Sequence, residues 1–350
     1  MRRYVDAVTA EVRGAPAHVG WQPRQATVDT IFFGGGTPSL LDAADVARIL
    51  DACRAAFDVT PDAEVTLEAN PESAADPFLA GIRAAGVNRL SLGVQSFRPA
   101  DLLRLGRIHD AAQAWRAVAR ARASCFDNVS LDLMMWLPEQ TVPQWLESVE
   151  AAIALGPEHL SLYMLELYPN APLRDTMARA QWSLAPDDDA AEMYEQAMAR
   201  LDAAGYRQYE ISNVARPGRE CRHNLKYWTD GEWLGFGPGA HSTLAAVRWK
   251  NVSPTGDYAA RIAAAESVET ERRVLAPVER WQEAVITGLR LREGLSLAAV
   301  AERYGVDLDA RFGPDLRGFV EAGVAAREGD RLRLTRRGML LANEVLRVFI

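Results

Sequence analysis

Apolar and polar positions follow two rhythms along this chain, one helical and one extended, and the changes between them mark its elements. Val5, Val8 and Val12 recur three and four apart, which predicts an amphipathic helix over Tyr4 to Val12, followed by a loop from His18 to Val28. The short apolar run Thr30 to Phe33 reads as a buried strand that stops at three glycines, Gly34 to Gly36, followed by Thr37 and Pro38. Val46, Ile49, Leu50, Cys53 and Phe57 share one face of a predicted helix over Asp42 to Phe57. The unit then repeats: strand Glu64 to Glu68 with helix Ser73 to Ala85, and strand Arg89 to Gly93 with helical stretches Pro99 to Leu105 and Ala111 to Arg122. Strand Val129 to Met134 with helix Val142 to Ala154, and strand His159 to Leu165 with helix Asp187 to Ala204, complete it. Strands alternating with helices predict a parallel sheet, open or closed toward a barrel.

In such sheets chemistry gathers at the carboxyl ends of the strands. The first end offers the bare backbone of Gly35 and Gly36 with Thr37, the second Glu68 and Asn70, the third Gln95 and Ser96, the fourth Asp132, and the fifth Glu166 and Tyr168. Three glycines in a row suit either a tight turn or close approach of a ligand to the backbone. Asn70 before Pro71 also fits a turn, and Asp132 among apolar neighbours also fits a satisfied buried acid. Together, two carboxylates, an amide and a bare backbone suit the amine, hydroxyls and carboxylate of one small ligand. Arg107, in Leu105-Gly106-Arg107-Ile108-His109, is a candidate clamp for that carboxylate, and a surface arginine otherwise.

Composition narrows the class. A chain of 350 residues with 49% hydrophobic content can bury a sizeable core, and a net charge of -8 argues against nucleic acid as bulk partner. No apolar run approaches the roughly 18 residues of a membrane span, so a cytoplasmic protein without an integral membrane segment is expected. Cys53, Cys125 and Cys221 are too scattered for a disulfide framework or a C-x-x-C loop.

Beyond the barrel-like part, Tyr206 to Ile211 alternates like an edge strand. The segment Gly235 to Ser242, GFGPGAHS, is a second glycine-rich loop in which His241 reads as a loop organiser. Val278 to Leu291, Leu297 to Tyr304 and Phe312 to Ala322 read as helices, Val324 to Leu334 as a hairpin turning at Glu328-Gly329-Asp330, and Gly338 to Phe349 as a closing helix. Helices followed by a hairpin suggest a winged-helix-like module, with acidic residues interspersed among its arginines.

The segments GGGTPSL, LEANPES, NRLSLGVQSF, LGRIHD, SLDLMMWLPEQT, HLSLYMLELYPNAPL and CRHNLKYW, in this order, resemble the oxygen-independent coproporphyrinogen III oxidase-like radical S-adenosylmethionine (SAM) family, in its heme-chaperone branch. The resemblance implies an α/β fold: an incomplete (β/α)6 barrel over 1–205, a connecting segment over 206–270, and a winged-helix-like α+β domain over 271–350. It implies that Gly35, Gly36 and Thr37 lie along the methionyl part of SAM and that Glu68, Gln95, Arg107 and Asp132 make its other contacts. The H-N-x-x-Y-W pattern makes His223 the candidate heme ligand, beside Cys221, Arg216, Arg219 and Arg222. Tyr227 and Trp228 equally suit packing against the barrel.

Family members carry C-x-x-x-C-x-x-C upstream of GGGTP to hold a [4Fe-4S] cluster, whereas here no cysteine precedes Cys53. The first strand and cluster loop are expected to be missing, and with them reductive cleavage of SAM. Either translation starts upstream of Met1, the reading favoured because a lost first strand leaves an open sheet edge, or radical chemistry has been lost. The leading expectation is a chaperone that binds heme and SAM and passes heme to a respiratory acceptor protein. The alternatives are an oxygen-independent coproporphyrinogen III oxidase and a SAM- or heme-binding DNA regulator.

Overall fold

The computed structural model describes residues 1–169 and 171–350; Asn170, in the HLSLYMLELYPNAPL segment, lies outside the described residues. The elements begin α1 (Arg2–His18), β1 (Thr27–Phe33), α2 (Ala43–Ala56), β2 (Asp58–Ala69), α3 (Asp76–Ala85), β3 (Arg89–Gln95), α4 (Pro99–Arg104), α5 (Ala111–Ala123), β4 (Val129–Met135), α6 (Val142–Leu155) and β5 (His159–Met164). There follow α7 (Pro172–Ala180), α8 (Asp187–Ala203), β6 (Arg207–Glu210), β7 (Asn213–Ala215), α9 (Arg222–Trp228), β8 (His241–Leu244), β9 (Val247–Asn251), α10 (Thr255–Ala263) and β10 (Glu269–Val274). The chain ends with α11 (Pro277–Gly288), β11 (Leu295–Ser296), α12 (Leu297–Tyr304), α13 (Leu308–Glu321), β12 (Ala325–Glu328), β13 (Arg331–Leu334), α14 (Arg336–Leu340) and α15 (Ala342–Leu346).

Two compact units result, one of Met1–Ile31, Ala43–Glu64 and Arg222–Ile350, the other of Phe32–Asp42 and Val65–Cys221. The main sheet has the order β1-β2-β3-β4-β5-β7-β6. β2 to β5 pair in parallel, and β7 runs antiparallel to β5 and β6, so the expected edge strand is β6. This is the curled, incomplete barrel of an α/β protein.

The two faces of these strands differ sharply. Leu67, Leu90, Leu92, Leu131, Leu133 and Leu160 are fully buried, each stabilising the fold by about 1.5–3 kcal/mol. In the same unit Leu79 and Ile82 of α3, Val118 of α5 and Trp145 of α6 are buried apolar positions of the surrounding helices. Trp145 also donates its indole N–H to the Met193 carbonyl of α8 at 3.0 Å. The alternate positions are polar: Thr66 and Glu68 on β2, Arg89 and Ser91 on β3, Ser130 and Asp132 on β4, His159 and Ser161 on β5. Successive strand residues point to opposite faces, so these line the concave side.

In the other unit, Val5, Val8 and Val12 of α1 and Val46, Ile49 and Leu50 of α2 are buried as their spacing predicts. α1 runs on past the predicted Val12 to His18, with Ala15 and Pro16 buried in its last turns. β2 begins at Asp58, earlier than predicted, since Pro61 lies in its exposed first half. Antiparallel β8, β9 and β10 form a second sheet, and β11, β13 and β12 the winged-helix-like sheet whose hairpin turns at Gly329 with φ +60°. The predicted closing helix is broken at Leu341 into α14, α15 and a short 3-10 turn.

Glu11 of α1 holds the second glycine loop. Its carboxylate accepts from the Gly237 N–H at 2.8 Å, the Asn251 amide of β9 at 2.6 Å and the Tyr258 hydroxyl of α10 at 2.5 Å. Removing that acceptor strands three donors, all of them on buried residues. Glu11→Ala is expected to lower stability by about 2–4 kcal/mol in denaturant titrations, with Glu11→Gln less affected. An unchanged midpoint for the alanine variant would show that the three donors find water instead.

Candidate strand-end ligand site

β1 ends at Phe33 and the chain turns through Gly34 to Gly36, all exposed. Gly34 is crowded: an added Cβ would lie 2.6 Å from the Phe32 ring and 3.1 Å from the Glu68 carboxyl carbon, so these side chains would have to shift. Gly35 has φ +80°, the left-handed region that glycine adopts without steric cost, and its N–H favours the charged form of the Glu68 carboxylate. The turn thus presents bare backbone beside a half-buried acid.

Across the concave face, Ser91 donates to Asp132 at 3.2 and 3.3 Å, and Ser161 on the next strand also favours its charged form. Burial and the neighbouring Asp132 charge push the Glu68 carboxyl up to about 7, opposed by the Gly35 N–H and the Arg89 guanidinium. Burial also raises Asp132, against the serine hydroxyls and the Arg89 and Arg107 charges. Two like-charged acids share a partly dry site that a cation would relieve.

Gln95 falls on the same face as Ser91 and Gly93 by strand alternation, at a bulge in the β3–β4 pairing and with φ +65°; its amide nitrogen lies 3.1 Å from where a Gly93 Cβ would be. Arg107 reaches Asn70 at 3.4 Å and acts electrostatically on Asp132, so both belong to the cluster. Thr37 stands exposed at the end of the glycine turn. Glu166 and Tyr168 instead bond to each other at 2.7 Å on the surface. His109 of the LGRIHD segment serves the scaffold: it is buried, 3.0 Å from the Val94 carbonyl and 3.2 Å from Glu72.

His223 belongs to the other unit, on α9, half-buried. Its Nδ1 lies 2.9 Å from the Thr30 hydroxyl and its Nε2 3.0 Å from the Tyr227 hydroxyl, and its N–H donates to Glu64 at 3.1 Å. The residues read with it have other engagements. Cys221 is wholly buried, Arg216 stacks on Tyr206 at 4.7 Å, Arg219 pairs with Asp127 at 3.5 Å and Arg222 with Asp29 at 3.5 Å. His241 accepts from the Trp233 indole N–H through its backbone carbonyl at 3.1 Å.

Known proteins can now be set beside this geometry. Residues 18–152 match the Radical SAM superfamily and residues 275–341 the HemN C-terminal domain. The chain is 41% identical to the heme chaperone HemW of Mycobacterium tuberculosis, over 99% of this chain and 86% of that protein. It is 36% identical to HemW of Bacillus subtilis, over 99% and 91% respectively. This chain belongs to the HemW family of radical SAM proteins. The crystal structure of coproporphyrinogen III oxidase (HemN) from Escherichia coli superimposes with a TM-score of 0.84 at 22% identity, covering 99% of this chain and 82% of that one, which shows the shared fold.

The radical SAM superfamily implies SAM and a [4Fe-4S] cluster. For SAM the residues of this HemW relative fit, since the paired acids, the free-standing Gly35 backbone and Arg107 complement its amine, hydroxyls and carboxylate. For the cluster they do not. Cys53 is buried in α2 with its thiol pushed up to about 11 by burial, Cys125 is exposed after α5, and Cys221 is buried. Among the described residues no group of three or more His, Cys, Asp or Glu side chains is placed to hold a metal ion. Nor is any helix among them long and apolar enough to cross a membrane.

Because Glu68 titrates higher in the folded chain than its ordinary 4.5, folding favours its protonated form. Its stabilising share is full below about pH 4.5 and disappears as pH rises through about 7. Chemical denaturation of ligand-free protein is expected to show stability falling across that window, and Glu68→Gln is expected to flatten the fall. A parent protein with no slope there would contradict the paired-acid description.

Proposed function

We propose that this HemW-family protein is a heme chaperone that binds SAM at the strand ends and heme at α9, and delivers heme to a respiratory acceptor protein. The observation that carries the SAM half is the adjacency of Glu68 and Asp132 at the mouth of a polar concave face. Gly35, Gly36 and Thr37 would run along the methionyl chain, Arg107 would meet its carboxylate as a planar two-pronged donor, and Gln95, Glu68 and Asp132 would take the amine and hydroxyls. When bound, SAM supplies a sulfonium cation and an α-ammonium group, both suited to a pair of acids.

The heme half rests on family membership and on the setting of His223. A ligating histidine needs one ring nitrogen held so that the other points correctly. Thr30 provides that hold on Nδ1, leaving Nε2, now at the Tyr227 hydroxyl, as the atom for iron. Exchanging that hydroxyl for iron costs about one hydrogen bond, on the order of 1 kcal/mol. A DNA role receives no comparable support, because Arg327 pairs with Asp309 at 2.5 and 2.7 Å and Arg333 with Glu328 at 2.6 Å within the winged-helix-like module.

Glu68→Ala and Asp132→Ala should each weaken SAM binding about 10- to 100-fold in calorimetry, the worth of a charged hydrogen bond. Folded variants that bind as tightly as the parent would remove both residues from the site. For heme, His223→Ala should abolish the Soret shift seen on titrating the parent, while Tyr227→Phe should retain or strengthen it. Equal spectra for parent and His223→Ala would assign the iron to another ligand.

A further inference from the structure

Arg89 acts on both Glu68 and Asp132 and is the most unusual charge in the concave face. It opens β3, is 2% exposed, and its Nε has no hydrogen-bond partner. Among the described residues it forms no direct ion pair. A guanidinium cannot shed its proton, so burial does not neutralise it as it would a lysine. Leaving such a charge without a direct partner is costly unless nearby groups offset it.

Those groups are identifiable. Arg89 pairs in register with Thr66, and one inward position further along Ser91 pairs with Glu68 while bonding Asp132. Behind it lies a chain of neutral groups: Ser130 Oγ sits 2.8 Å from His159 Nδ1, and His159 Nε2 sits 2.8 Å from the Tyr209 hydroxyl. Burial and the Arg89 charge hold His159 well below its usual range, so it adds no second cation. Burial and the Cys221 sulfur raise Tyr209, so it stays a neutral phenol. The other charged or titratable groups facing the acids are Arg107, which acts on Asp132, and Tyr163 of β5, which is neutral beside Asp132, Glu210 and Glu68. Arg89 is therefore the fixed positive charge on the inner side of the acid pair, with a wall of neutral donors around it.

We infer that Arg89 is a positioning residue of the strand-end site, a buried guanidinium that lets Glu68 and Asp132 stand side by side as acceptors for a cationic ligand. It touches no ligand itself. Its field offsets the mutual repulsion of the acids from the side that the ligand does not occupy, so the site is set before the ligand arrives. The inference deepens the SAM reading and rests on it for the identity of the ligand, but not for the effect on the acids.

The test separates the two. In ligand-free protein, carbon-13 NMR of the Glu and Asp carboxyls, assigned with Glu68→Gln and Asp132→Asn, should show the pair titrating at higher pH in Arg89→Met and near the parent value in Arg89→Lys. SAM affinity of Arg89→Met, by calorimetry, should fall about fivefold at pH 7, since a one-unit rise from about 7 cuts the ionised fraction of Glu68 from about one half to about one tenth, and recover toward the parent as pH is raised to about 9. Arg89→Lys should bind nearly as the parent does. If Arg89→Met does not fold, Arg89→Lys and Arg89→Gln are compared instead, with the same carboxyl shift expected for glutamine only. A carboxyl titration unmoved by loss of the charge overturns the inference, as does a SAM deficit equal at pH 7 and 9. A shifted titration in a parent protein that binds no SAM would leave Arg89 in its role and overturn the choice of ligand.

Discussion

Two carboxylates brought together in a half-buried site are the constraint to which the rest of the strand-end architecture answers. Like charges at close range in a partly dry environment repel strongly, and the ordinary remedy is to protonate one of them, as the raised Glu68 shows. The fold opposes that remedy with the Gly35 N–H, the hydroxyls of Ser91 and Ser161 and the charge of Arg89. None of these is a direct carboxylate–guanidinium pair, which would satisfy the acids and leave nothing for a ligand to do. Solvation by weak donors keeps them available.

That arrangement depends on the backbone in two places. A side chain at Gly34 would press on the Phe32 ring and on Glu68, and Gly35 takes a left-handed conformation at the turn whose N–H favours the charged Glu68. On the opposite rim Gln95 ends β3 at a bulge in its pairing with β4 and with a left-handed backbone, while Leu92 and Val94 point outward into the core. Backbone irregularities at the ends of otherwise regular strands are where this barrel departs from packing for its own sake.

Much of this was legible. The helix–strand rhythm gave β1 to β5 within a few residues, and the rule that chemistry collects at strand ends selected Gly35, Glu68, Gln95 and Asp132, which the structure brings to one face. Glu166 and Tyr168 met the same rule and fell on the surface, because position at a strand end says nothing of which way the chain turns next. Arg89 and His159 lie at strand starts, outside the search, although a signal existed in T-L-E, R-L-S-L, S-L-D-L and H-L-S-L. Parallel strands covered on both faces read as nearly unbroken apolar runs, so strict alternation in adjacent strands marks a polar interior. Glu11 gave no such sign, since its partners Gly237, Asn251 and Tyr258 lie more than two hundred residues away and only tertiary structure joins them.

The polar interior also bears on which kind of function suits this fold. A half-barrel lined by leucine would be a better stabilised scaffold, since each buried polar group must find partners merely to break even. Here Thr66 Oγ1 and Arg89 Nε remain without partners at the inner end, while the acids at the outer end are satisfied only by weak donors. Such a lining lowers the stability of the empty protein and raises its response to a ligand that carries positive charge and several hydrogen-bonding groups, because binding converts repulsion between the acids into attraction. The energy withheld from folding is thereby available to recognition, and the sign of the ligand's charge is set by Glu68 and Asp132 before any contact is made.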